Sequence, residues 1–176
     1  MTRRPGFASA AWLLNHAAMR VALISDTHGH LDDRIAAVLT DCDRIVHAGD
    51  VGAGVADILA ALDLPVTVVT GNNDPADAGW PVSAELDLPG GRLVVIHGHQ
   101  WPAARRHQRL RAAYPGARAV VCGHSHRQVV DQDESPWILN PGAAGRTRTY
   151  GGPGYIILDA DAQGWRVDAR QLSRQP

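Results

Sequence analysis

Short apolar runs alternate with amphipathic stretches from residue 20 onward. Val21-Ala22-Leu23-Ile24 has no polar position and predicts a strand. The next stretch, about Asp32–Thr40, places Ile35, Val38 and Leu39 on one face and predicts a helix. The rhythm repeats with a strand at Ile45-Val46-His47, a helix near Val55–Leu62 and a strand at Val66-Thr67-Val68-Val69. Strands apolar on both faces suit a parallel sheet covered on both sides, so the first half is α/β.

The second half changes character. Glu85-Leu86-Asp87-Leu88, Pro89-Gly90-Gly91 and Leu93-Val94-Val95-Ile96 predict a β-hairpin. A basic helix near Ala103–Tyr114 leads to a strand at Ala119-Val120-Val121-Cys122. Short strands are expected around Gln128–Val130, Trp137–Leu139 and Tyr155–Leu158, the last pairing with Trp165–Ala169. No repeat or linker interrupts the pattern, so residues 19–176 are expected to form one mixed α/β domain.

Composition adds exclusions. The chain has 176 residues and a formal charge of −1, so no global field favours nucleic acid or an anionic membrane. All 17 basic residues are Arg, and the absence of Lys removes Schiff-base chemistry and the lysine-bearing phosphate loop. Cys42 and Cys122 lie beside apolar runs without CxxC spacing, which reads as buried reduced thiols and a cytoplasmic setting. Residues 1–18 read as an N-terminal extension, either a flexible tail or a start-site artefact with Met19 as an alternative start. Thr2-Arg3-Arg4 faintly suggests a twin-arginine signal, but its apolar run is broken by Asn15 and His16. No run approaches the roughly 18 apolar residues that span a bilayer.

The chemistry lies at the strand ends. Asp26-Thr27-His28-Gly29-His30 follows the first strand, Gly49-Asp50 the second, Gly71-Asn72-Asn73-Asp74 the third, His97-Gly98-His99 the hairpin and Gly123-His124-Ser125-His126 the next. Sites in open α/β sheets form outside the carboxyl ends of the strands, so these five loops are expected to converge. A lone His or Asp there is ordinarily a turn former or a satisfied polar group. Here six of nine histidines fall in three HxH pairs, and two further strand ends carry Asp50 and Asn72. Carboxylate, imidazole and amide donors without thiolate suit Mn²⁺, Fe²⁺/³⁺, Zn²⁺, Ni²⁺ or Co²⁺, and their number exceeds one site.

These five motifs, in this order, resemble those of the calcineurin-like metallophosphoesterases, over roughly residues 19–160. The length, the Asn140-Pro141-Gly142 turn and the terminal strands look most like the small bacterial and archaeal phosphodiesterase branch, which also includes the retromer scaffold subunit. The resemblance implies a β-sandwich of two mixed sheets flanked by helices, and two divalent transition-metal ions, Mn foremost. Asp26, His28 and His126 would hold the first metal, Asn72, His97 and His124 the second, and Asp50 would bridge them at roughly 3.5–4 Å. It further implies hydrolysis of a phosphate-ester small molecule by in-line attack of a hydroxide held between the ions.

One position departs from the pattern. Many relatives carry a His directly after the ligand Asn, where it resembles a general acid; here it is Asn73, which cannot transfer a proton. His99 is the candidate to contact substrate or leaving group in its place, so Asp50, Asn72 and His99 form the expected catalytic set. Asp74 is expected to cap a turn near the site, and Ser125 to be a spacer. Arg105, Arg106, Arg109 and Arg111 are expected to form a solvated face with Leu110 inward, the other reading being an anion-attracting wall. The competing functions are a non-catalytic protein-binding scaffold and a nuclease or nucleotide phosphatase; a homo-oligomer is compatible with the sequence.

Overall fold

The apolar run Val21–Ile24 sits at the centre of one sheet. In the computed structural model, which describes residues 18–174, β1 (Met19–Ile24) pairs in parallel with β2 (Arg44–His47), which pairs in parallel with β3 (Val66–Val68). On the other side β1 pairs antiparallel with β9 (Gly154–Ala160), and β9 with β10 (Trp165–Gln171), giving the order β10-β9-β1-β2-β3. The second sheet is built from the hairpin β4 (Ser83–Leu88) and β5 (Gly91–Ile96), then β6 (Ala119–Val121), β8 (Trp137–Pro141) and β7 (Gln128–Asp131), in the order β4-β5-β6-β8-β7. Both sheets are mixed. The reading of residues 1–18 concerns a stretch of which all but the last residue lies outside the described residues.

Period-two alternation inside each apolar run fixes which layer a side chain joins. Val21, Leu23, Val46 and Ala48 face Leu93, Val95, Val121 and Leu139 across the sandwich. Ala22, Ile24 and Ile45 point the other way, onto Ile35 and Leu39 of α1 (Asp33–Leu39) and Val55 and Leu59 of α2 (Val55–Ala60). Val94, Ile96, Val120 and Ile138 form a third layer against Leu110 of α3 (Arg106–Ala113). Both faces of each central strand are therefore dry, which is why these strands carry no polar alternation.

The basic helix is shorter than its pattern suggests: Ala103–Arg105 is a 3-10 turn, and the α-helix starts at Arg106. Its face also differs from expectation. Arg106 is buried, donating to the carbonyls of Gly98 at 2.8 Å and Trp101 at 3.2 Å, and Arg111 pairs with Asp131 at 2.7 Å. A guanidinium with carbonyl and carboxylate partners can sit inside where a bare charge cannot. Only Arg105 and Arg109 of the four keep the solvated placement. Cys42 and Cys122 are buried free thiols, as their surroundings suggested. No helix among the described residues is long and apolar enough to cross a membrane.

Candidate metal centre

The carboxyl ends of β1, β2, β3, β5 and β6 meet at one edge of the sandwich, where hydrogen bonds join their loops within the second sheet and across to the first. Gly123 N–H donates to the His97 carbonyl at 3.0 Å, and His124 N–H donates to the Asp26 carboxylate at 3.0 and 3.2 Å. Glycine permits this approach: a side chain on Gly123 would collide with Ser25 Oγ and Asp26 Oδ2. Five of the seven non-glycine residues with left-handed backbone among the described residues are Asp26, His28, Asp50, His124 and His126. Such conformations persist only where surrounding contacts hold them, and they concentrate at functional sites.

The predicted ligands come together. One ligand atom each from Asp26, His28 and His126 lies within a 4.8 Å span, and so does one each from Asp26, Asp50 and His97. Asn72 Oδ1 stands 3.2 Å from His97 Nε2, and Asp50 Oδ2 lies 3.4 Å from His97 Nε2 and 3.7 Å from His28 Nε2. His124 joins through its ring, centred 5.3 Å from that of His97, and His99 lies 5.4 Å from His97 on another side.

Partners outside the cluster fix which nitrogens face inward. His97 Nδ1 donates to the Ala48 carbonyl at 2.7 Å and His126 Nδ1 to the Thr147 carbonyl at 2.8 Å, so each Nε2 presents a lone pair. Acceptors then crowd one another: His126 Nε2 is 3.3 Å from Asp26 Oδ1, and His97 Nε2 faces Asn72 Oδ1 and Asp50 Oδ2. Lone pairs at such distances repel unless positive charge stands between them. The donor set therefore fits divalent cations. The His99 Nδ1 atom is buried without a hydrogen-bond partner.

Titration follows the same logic. Burial raises the Asp26 carboxyl to about 6, against the pull of His97 and of its 2.5 Å bond from Ser25. Burial also acts to raise Asp50, but the attraction of His97 and hydrogen bonds from Asn73 outweigh it and hold the carboxyl well below the usual range. Burial pushes His28, His99 and His126 down, and takes His124 to about 4 with help from His97 and Arg106. These rings are neutral at neutral pH, the form that binds metal. His97 moves upward: the attraction of Asp50 and Asp26 overrides its burial, so the pocket favours positive charge at that nitrogen.

Several supporting residues exceed what the sequence suggested. The Asp74 carboxylate accepts N–H groups from Asp50, Val51 and Gly71, each at 2.8 Å, and from Gly52 at 3.3 Å, clamping the loops after β2 and β3 together. Asn73 fills the place of the absent His by donating its backbone N–H to Asp50 Oδ1 at 2.8 Å and its side-chain amide to Oδ2 at 2.7 Å. His47, wholly buried and held near pKa 4 by desolvation, accepts from Gly49 N–H and bonds Thr27 Oγ1 at 2.9 Å; it is a strut, with no place among the ligands. Asn140 bonds the Gly123 carbonyl at 2.9 Å and Ser125 Oγ at 3.1 Å, bracing the HxH loop and making Ser125 the expected spacer. The Asn-Pro-Gly sequence was the available signal for Asn140; Arg106 had none.

Comparison with known proteins accords with this geometry. Residues 19–163 match the model of the calcineurin-like phosphoesterase superfamily domain. A probable metallophosphoesterase of Methanothermobacter thermautotrophicus is 30% identical over 160 residues, covering 86% of this chain and 90% of its own. Among solved structures, a Vps29 single mutant from Entamoeba histolytica superposes with a TM-score of 0.71 at 18% identity, covering 88% of this chain and all of the other. An archaeal phosphodiesterase superposes with a TM-score of 0.66 at 20% identity, covering 86% and 100%. The family model thus runs from the first strand into the final hairpin, over all five ligand-bearing loops, and the chain belongs to the calcineurin-like phosphoesterase superfamily.

Proposed function

We propose that this chain is a phosphodiesterase with a two-metal centre in which Asp26, His28 and His126 hold one ion, Asn72, His97 and His124 hold the other, and Asp50 lies between them. The observation that carries the reading is the convergence of lone pairs, with His97 and His126 each turned inward by a backbone carbonyl behind it. When bound, the two cations would lower the pKa of a water and offset the charge that develops on the phosphoryl oxygens. The chain's own contribution is to hold the donors ionised or neutral as required. Asp74 and Asn73 orient Asp50, and Ser25 and the His124 N–H orient Asp26.

In this reading His99 hydrogen-bonds the leaving oxygen. Its Nδ1 is free and buried beside the cluster, whereas the Asn73 amide is spent on Asp50. Because an uncharged imidazole is a weak acid, esters with good leaving groups are the substrates that this arrangement serves best. The inward turn of Arg106 and Arg111 leaves the nuclease reading without the basic wall that suggested it.

The test is hydrolysis of bis-p-nitrophenyl phosphate against p-nitrophenyl phosphate with Mn²⁺, Ni²⁺, Co²⁺, Zn²⁺ or Mg²⁺. The diester is expected to turn over with Mn²⁺ or Ni²⁺, and Asp50→Asn to lose at least about 100-fold, beyond the range typical of outer partners. Undiminished activity in that variant would refute the role of Asp50. A reconstituted protein without bound transition metal by elemental analysis would favour a non-catalytic scaffold of the same fold.

A further inference from the structure

A cleft of about 570 Å³ opens beside the ligand cluster, lined by Asp32, Gly145, Arg146, Arg148, Thr149, Pro153 and Arg174. Its charge is one-sided. The acid in it, Asp32, is spent on Arg34 through two bonds of 2.9 and 2.8 Å and on the N–H of the same residue. Arg146, Arg148 and Arg174 pair with no carboxylate among the described residues. Arg174 donates to the Thr149 carbonyl at 2.6 Å, and Arg148 Nη2 stands 3.3 Å from His126 Nε2.

The arginine-bearing loop is fixed to the metal-ligand loops. Ala144 N–H donates to Ser25, Asp32 N–H donates to Ala144, and the Thr147 carbonyl holds His126. At Gly145 a side chain would meet the carbonyls of Thr27 and His30, so the backbone there is pressed against the first ligand loop. Two guanidiniums thus line a cleft whose third, Arg148, reaches the centre itself. Guanidinium forks match phosphate oxygens in pairs, and a concave site of one sign concentrates the opposite charge.

We propose that this cleft binds a second anionic group, a phosphate or polyphosphate, carried by the ester whose scissile phosphorus sits at the ligand cluster, with Arg146 and Arg174 gripping it and Arg148 spanning the two positions. The proposal rests on the phosphoesterase reading and narrows its substrate class to diesters bearing a further phosphate.

Two measurements separate the ideas. Calorimetry of inorganic tripolyphosphate on metal-free protein is expected to show binding that weakens about tenfold or more in R146Q/R174Q and is unchanged in R109Q, an exposed Arg of α3. No binding to the parent protein, or equal binding by all three proteins, would overturn the subsite. Kinetics then compare a p-nitrophenyl nucleotide diester with and without a second phosphate on its sugar. The metal-loaded enzyme is expected to show a KM about tenfold lower for the doubly charged ester, and R146Q/R174Q to lose that preference. No preference, or one that survives the double substitution, overturns the proposal. If neither ester is hydrolysed, the phosphoesterase reading fails, and the calorimetry still decides whether the anion site exists.

Discussion

The Asp74 carboxylate accepts the backbone N–H of Asp50 at 2.8 Å across a separation of 24 residues, and through three further N–H groups it locks the loop that presents Asp50 to the loop that presents Asn72. Asp74→Asn turns one acceptor oxygen into a donor facing N–H groups. A loss of about 3 kcal/mol in unfolding free energy is expected, with metal affinity falling roughly 10- to 100-fold. Urea denaturation and metal titration by calorimetry check the two effects separately; a variant as stable as the parent would show that the clamp is dispensable.

Asn73 binds both oxygens of Asp50, at the position where the family resemblance implies a His. Asn73→His is expected to raise turnover of alkyl phosphodiesters, which need a proton on the leaving oxygen, by about tenfold or more. With p-nitrophenyl esters the change should stay within about threefold, since nitrophenolate leaves without one. Parallel kinetics on the two substrate types provide the check.

Gly123 has ordinary backbone, so its requirement for glycine is one of space: an added Cβ would collide with Ser25 Oγ and lie 2.7 Å from Asp26 Oδ2. Gly123→Ala is expected to cost about 1–3 kcal/mol as an overpacked contact and to weaken binding of the metal that Asp26 would hold. Thermal unfolding with and without Mn²⁺ reads both; an undiminished Mn²⁺ stabilisation would contradict the placement.

Asp32 caps α1 and pairs with Arg34, whose hydrogen bond outweighs partial burial and lowers its carboxyl from the usual 3.8. A carboxyl lowered on folding adds stability above its unfolded pKa and loses it as pH falls through the folded value. The stability gap between the parent and Asp32→Asn is therefore expected to be full near neutral pH and to close below pH of about 4. Because Asn also caps helices, the capping contribution largely cancels. Urea midpoints across pH measure it, and a gap independent of pH would contradict the pairing.

Much of the fold is legible in the chain because strand and turn signals are local. Runs such as Val21–Ile24 and Val120–Cys122 announce buried strands, and the Gly-punctuated HxH, Gly-Asp and Gly-Asn motifs place the donors of the candidate centre at strand ends. The amino-acid order also carried the family, since five motifs in sequence are more specific than any one of them. The helix around Arg106 shows the limit. Its four arginines read as solvated, but the Gly98 and Trp101 carbonyls draw Arg106 inside and Asp131 holds Arg111.

What the tertiary structure alone decided is how distant groups meet. His124 N–H reaches Asp26 across 98 residues of chain, His97 turns its Nε2 inward because the Ala48 carbonyl stands behind it, and Asp74 finds four N–H groups on two loops. The residue types that can bind a metal are written in the sequence. Their tautomers, their lone-pair directions and the arginine-lined cleft beside them depend on hydrogen bonds and close approaches between sheets, which no local pattern encodes.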